Sequence, residues 1–141
     1  MKGISVAKEL KARDICDRTM DYALRAIGLC DFLHQSQNRV GWTIANQYLR
    51  ASTSIGANME EAQAGESRSD FVHKCAIALK EARESLYWLH LLQRSAIVAP
   101  NRILPLIQET NEIVSILTVI VVKTKRFRFP LSLFSILYSL F

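Results

Sequence analysis

Leu49-Arg50-Ala51-Ser52-Thr53-Ser54-Ile55-Gly56-Ala57-Asn58-Met59-Glu60-Glu61-Ala62, followed by Ser67-Arg68-Ser69-Asp70-Phe71, decides how this chain folds. Within and just before it, Ile44, Tyr48, Ala51, Ile55, Met59 and Ala62 recur at spacings of three and four. That period is the mark of an amphipathic helix, and the six fall in one stripe centred on Ile55. Beside the stripe runs a polar seam. At about 100° per residue, Asn58, Ser54, Glu61 and Arg50 lie roughly 60° to 140° to one side of Ile55. Their i,i+3 and i,i+4 spacings allow mutual contact. A half-buried polar line needs hydrogen-bond partners, and a neighbouring helix or subunit is the natural supplier. The seam is therefore expected to fix helix register or a subunit interface. With Arg50 as its only cation, it makes a poor phosphate clamp.

Working outward, the same period recurs on both sides. Residues 13–35 form a first helix with Ile15, Ala23, Ile27, Cys30 and Leu33 as the expected core face. Ser36-Gln37-Asn38 breaks it, and the second helix is expected from Trp42 to Ala64, with Gly56 at a close helix approach and Gly65 just past its end. Ser67 or Ser69 caps a third helix of about 25 residues, with Asp70 in its first turn. Phe71, Cys75, Ala78, Leu79, Ala82, Leu86 and Leu89 form its core, and Lys80 and Glu84 an outward pair. After Ala99-Pro100-Asn101, a fourth helix runs from about Arg102 to Lys125, with Pro105 in its first turn. Its apolar face is Ile103, Leu106, Ile107, Ile113, Leu117, Ile120 and Val121. Four helices joined by short loops imply an all-α, antiparallel up-down four-helix bundle. The expected organisation is an N-terminal extension over 1–12, the bundle over 13–125, and a tail over 126–141.

Composition sharpens this. The chain has 141 residues, enough for one domain with a real core. Five Gly and three Pro argue against a turn-rich β fold. Half of the residues are hydrophobic and mean hydropathy is +0.10. A chain this apolar is expected to bury surface between subunits or to meet a membrane. Eighteen Lys and Arg against 13 acids give a net charge of +5, which permits phosphate binding without demonstrating it. Cys16, Cys30 and Cys75 are few, odd in number and form no CxxC, so they read as buried small hydrophobes in a reducing compartment. Met1 to Ser5 opens no apolar run of signal length, and a cytoplasmic location is expected.

No catalytic constellation emerges. His34, His73 and His90 pair with no carboxylate in a metal signature, and His73 and His90 are 17 residues apart. There is no HExxH, P-loop or GxSxG. Glu60 and Glu61 diverge on their helix, while Glu81 and Glu84 share a face that Lys80 makes a solvated charged surface. No catalytic residue, metal or cofactor is assigned, and the chain reads as a non-enzyme. Lys123, Lys125, Arg126 and Arg128 form a basic cluster ahead of Pro130, and Leu131 to Phe141 is apolar with Ser132, Ser135 and Ser139 on one helical face. Eleven residues are too short to span a bilayer, which takes about 20. Such a segment suits at most a membrane surface, and the plainer readings are a strand or helix packed on the bundle, a floppy tail, or a terminus peculiar to this one gene.

The motif Leu49-Arg50-Ala51 through Ser54-Ile55, Asn58 and Glu61, then Ser67 to Phe71, resembles the pattern LRRAxxSIxxNIAEG…S..EF. Ile77 to Leu89 looks like the third helix of the same proteins: four-helix bundles encoded in intervening sequences of bacterial 23S ribosomal RNA genes. Accessory proteins of diversity-generating retroelements resemble that family too. The similarity covers roughly Cys16 to Lys125. The chain departs from the pattern at Ala62 (Gly in the family), Glu60 (Ala) and Leu49 (Arg), and the segment after Pro130 lies outside it. The resemblance implies a homopentamer and, by way of the retroelement relatives, a basic barrel that works with RNA and a reverse transcriptase.

The expected function is thus a non-enzymatic oligomeric scaffold or accessory protein associated with RNA or an RNA-handling protein. The alternative is a protein-binding oligomer without nucleic-acid affinity. The seam Arg50, Ser54, Asn58 and Glu61 is the expected assembly element. Lys74, Lys80 and Arg83, with Lys123, Lys125, Arg126 and Arg128, form the expected nucleic-acid surface.

Overall fold

In a computed structural model that describes residues 15–126, the chain consists of four helices. They are α1 (Ile15–Gln35), α2 (Arg39–Gln63), α3 (Arg68–Arg94) and α4 (Pro100–Arg126). No strand occurs among the described residues. The N-terminal extension, Arg128 and the apolar segment after Pro130 lie outside the described residues.

The caps explain where the helices start. Asn38 holds an extended conformation (φ −87°, ψ 98°) and its side chain accepts from the Gly41 N–H at 3.0 Å. That moves the start of α2 ahead of Trp42, whose indole N–H instead donates to the Ser36 carbonyl at 2.8 Å and pins the turn. Ser67 is the cap of α3, accepting from the Asp70 N–H at 3.1 Å. Pro100 takes the first position of α4, where its missing N–H does no harm. Pro105 therefore sits inside the helix rather than in its first turn, with its ring exposed. Gly65 follows the Ala64 cap, but no glycine has positive φ among the described residues. Its role is steric: a Cβ there would stand 3.2 Å from the Ala62 carbonyl oxygen.

Consecutive helices pack side by side, and α4 returns to α1. Partner numbers fall as position rises: Arg18 meets Glu112 and Arg25 meets Glu109 across α1 and α4. Across α1 and α2, a Cβ on Gly56 would come within 3.4 Å of Thr19 Oγ1, so the close approach expected at Gly56 is present. Among the described residues α4 alone is long and apolar enough to cross a membrane, yet Ile103, Leu106, Ile113, Leu117 and Ile120 are buried in this core.

The expected core stripes of α2, α3 and α4 are buried, except that Ile44 and Leu86 are only half-buried. In α1 the stripe is misplaced. The buried set is Ile15, Cys16, Thr19, Tyr22, Ala26, Leu29, Cys30 and Leu33, whereas Ala23 is half-buried and Ile27 is 47% exposed. The helix carries two apolar stripes on different faces, with Met20, Leu24 and Ile27 on the exposed one. A hydrogen-bonded layer decides between them. Tyr48 Oη donates to Tyr22 Oη at 3.1 Å, and Tyr22 Oη lies 2.7 Å from Thr110 Oγ1. Thr110 in turn donates to the Leu106 carbonyl at 2.6 Å. Since each hydroxyl has one proton, the chain runs in one direction: Tyr48 to Tyr22 to Thr110 to the backbone of α4. Three helices, α1, α2 and α4, thus share this layer, while the buried Ser85 hydroxyl of α3 donates to the Glu81 carbonyl of its own helix at 2.8 Å. Burial raises both tyrosine pKa values above the ordinary range.

Candidate functional site

The seam lies along the contact of α2 with α3. Arg50 pairs with Glu84 and reaches Glu81 Oε2 at 3.4 Å. Trp88 Nε1 donates to Glu84 Oε1 at 3.1 Å, and about three turns beyond Arg50 toward the end of α2, Glu61 pairs with Lys74. Asn58 turns inward on its own helix, donating through Nδ2 to the Ser54 carbonyl at 2.8 Å. The two charged members of the seam thus engage α3 of the same chain. Glu84 is drawn to Arg50, which removes it from the expected surface pair with Lys80. Sequence reading missed Glu81, Glu84 and Trp88 as partners. Their i,i+3 and i,i+7 spacing on α3, opposite a lone arginine, was the available signal.

The Arg50 guanidinium, helped by the Trp88 N–H, holds the Glu84 carboxyl below the ordinary carboxylate range. A depressed folded pKa adds stability that is present at neutral pH and fades as pH falls through that depressed value. Arg50→Gln should return Glu84 to the ordinary range in a carbon-detected NMR titration, with little loss of stability because the pair is exposed. An unmoved titration would show that Arg50 does not govern Glu84.

The basic residues separate into two groups. Lys80 and Arg83 are exposed midway along α3, and Lys74 is engaged by Glu61. At the other place, the first turns of α3 meet the last turn of α4. A cavity of about 470 Å³ there is lined by Arg68, Val72, His73, Thr124 and Lys125, among others. Arg68 donates to the Thr124 carbonyl, closing one of the free carbonyls that end α4. Lys123, Lys125 and Arg126 occupy that last turn, where cations also offset the helix dipole. Arg68 and His73 were not foreseen in this surface, although the Ser67-Arg68-Ser69 cap places a cation beside a positive helix end.

No group of three potential metal ligands occurs among the described residues. The three cysteines are buried and none is in a disulfide, and burial pushes the Cys30 thiol up to about 11, a structural rather than reactive setting.

A model of the 23S rRNA-intervening sequence proteins matches residues 11–119. The chain belongs to the 23S rRNA-intervening sequence protein family. A crystal structure of a protein of unknown function from the S23 ribosomal protein family of Bacteroides thetaiotaomicron is 37% identical, with a TM-score of 0.72, over 76% of this chain and 97% of that one. No curated protein matches. In this 23S rRNA-intervening sequence protein the family match takes in the whole seam, Lys74, Lys80 and Arg83. It ends before Lys123, Lys125 and Arg126.

Proposed function

We propose that this chain is a non-enzymatic accessory protein: an up-down bundle that assembles as a homo-oligomer, a pentamer by family resemblance, and associates with RNA in the cytoplasm. The observation that carries the RNA reading is the convergence of Arg68, His73 and Lys125 at one cavity, with Lys123 and Arg126 beside it. Guanidinium and ammonium groups around a concave site suit phosphate oxygens, and they outweigh the negative end of α4, which the positive end of α3 opposes. The family description refers to intervening sequences of 23S rRNA, which supports an RNA setting and leaves the ligand open.

The test is fluorescence anisotropy of a labelled 20-nucleotide RNA against salt. Three or four phosphate contacts on a single strand predict a log–log slope on the order of −2 to −3. Lys125→Glu with Arg126→Glu should flatten that slope and weaken binding at least tenfold. Absence of binding at low salt, or an affinity indifferent to salt, overturns the RNA reading. The alternative, a protein-binding oligomer without nucleic-acid affinity, is favoured by a separate feature, the exposed apolar stripe of α1.

A further inference from the structure

Met20, Leu24 and Ile27, at spacings of four and three along α1, are 53%, 59% and 47% exposed. With Thr53, Gly56 and Ala57 of α2 they line a groove of about 290 Å³ whose surface is almost wholly apolar. Gly56 and Ala57 make its α2 wall low. Three large aliphatic side chains in one exposed row are not scattered surface residues; they form a patch that water covers poorly.

The rim of the groove is acidic. Asp17 and Asp31 are exposed seven residues before and after Leu24, and exposed Glu60 lines the groove on α2. A second exposed row on the same chain has the opposite charge and the same pitch. Lys80 and Arg94 lie seven residues before and after Tyr87 on α3, and Tyr87 is 58% exposed. Arg83 lies on that row as well, and the one carboxylate beside it, Glu84, is engaged by Arg50 of the same chain. In each row the charges stand about 21 Å apart along the helix with a large apolar side chain midway. Asp17–Leu24–Asp31 and Lys80–Tyr87–Arg94 can therefore be superposed charge on charge and apolar on apolar. Both rows keep a seven-residue spacing, the repeat that lets two helices stay in contact over several turns.

We infer that the α1–α2 groove is the docking site for α3 of a second copy of this chain, with Tyr87 seated against Leu24 and the flanking lysine and arginine on the two aspartates. Because α1 and α3 both pack on α2 and on α4, they stand diagonally in the bundle, and the two surfaces point away from each other. The contact is head-to-tail, so a subunit offers a free donor row and a free groove until a ring closes. Lys80 and Arg83 then belong to assembly, leaving the α3–α4 end for phosphate. This inference rests on the assembly half of the proposed function and is independent of RNA.

Light scattering on the full chain tests it. The wild type should have a mass several times 16.0 kDa. Asp17→Lys with Asp31→Lys, and separately Lys80→Glu with Arg94→Glu, should each weaken association at least tenfold while circular dichroism stays helical. All four positions are exposed; Asp17 and Arg94 lie in terminal turns where a reversed charge opposes the helix dipole, so circular dichroism is the control that the helices persist. The chain carrying all four reversals should reassemble, since both rows are then complementary again. A monomeric wild type overturns the assembly reading itself. An oligomeric wild type that either reversal leaves intact, or a fourfold variant that stays dissociated, overturns this docking assignment alone.

Discussion

Tyr22→Phe should destabilise the bundle by about 2–3 kcal/mol, whereas Tyr48→Phe should cost about 1 kcal/mol, although both remove one buried hydroxyl. The difference lies in the direction of the hydrogen-bonded chain. Tyr48 stands at its head, so removing its hydroxyl deprives Tyr22 of a donor while Tyr22 still donates to Thr110. Tyr22 stands in the middle, so its loss strands the buried Tyr48 O–H without an acceptor and also cuts the link to α4. Leaving a buried donor unsatisfied costs more than losing the average bond. The double variant should then be less destabilised than the sum of the singles, because the stranded hydroxyl is gone. Urea denaturation of the four proteins measures this cycle, and equal costs for the two single variants would refute the direction assigned. The same layer sets an alkaline limit. Both tyrosines are held neutral in the fold, so stability is intact below the ordinary tyrosine pKa of about 10 and declines above it as the unfolded chain ionises. Double Phe replacement should blunt that decline.

What this layer does bears on what a sequence can disclose. The helices, their breaks and most of the core were legible because α2, α3 and α4 each have a single apolar stripe, and one stripe leaves no choice of face. On α1, Tyr22 and Leu24 lie about 200° apart on a helix, so hydropathy offers two nearly opposite candidates. The fold selects the row whose tyrosine hydroxyl can reach Tyr48 and Thr110, which are 26 and 88 residues away in sequence. Long-range hydrogen bonds of that kind leave no local trace. The polar seam shows the complementary case. Its need for partners was readable from spacing, but Glu81 and Glu84 were identified only by packing, since i,i+3 acids beside a lysine look like ordinary solvated surface. Of the basic site, the α4 cluster was evident from composition, whereas Arg68 and His73 joined it through the meeting of two helix ends.

Ile55 and Ile27 turn that ambiguity into a measurement. Read by periodicity, each is a core isoleucine; in the fold Ile55 is fully buried at the centre of the α2 stripe and Ile27 is 47% exposed. Ile55→Ala removes three buried carbons from a close-packed interior and should cost about 2–5 kcal/mol, read as a fall in the urea midpoint at unchanged slope. Ile27→Ala opens no cavity within the chain, so at the lowest protein concentrations its cost should stay within about 0.5 kcal/mol, as for other surface substitutions. Raising the concentration separates the two further. If the α1 groove is covered in an assembly, wild-type melting temperature rises with protein concentration, since association stabilises the folded state by mass action. Ile27→Ala should diminish that rise, and Ile55→Ala should lower the whole curve without flattening it. A large cost of Ile27→Ala in the dissociated chain would mean that the face of α1 turned outward here is buried within the bundle. The polar layer centred on Tyr22 would then be assigned to the wrong side of the helix.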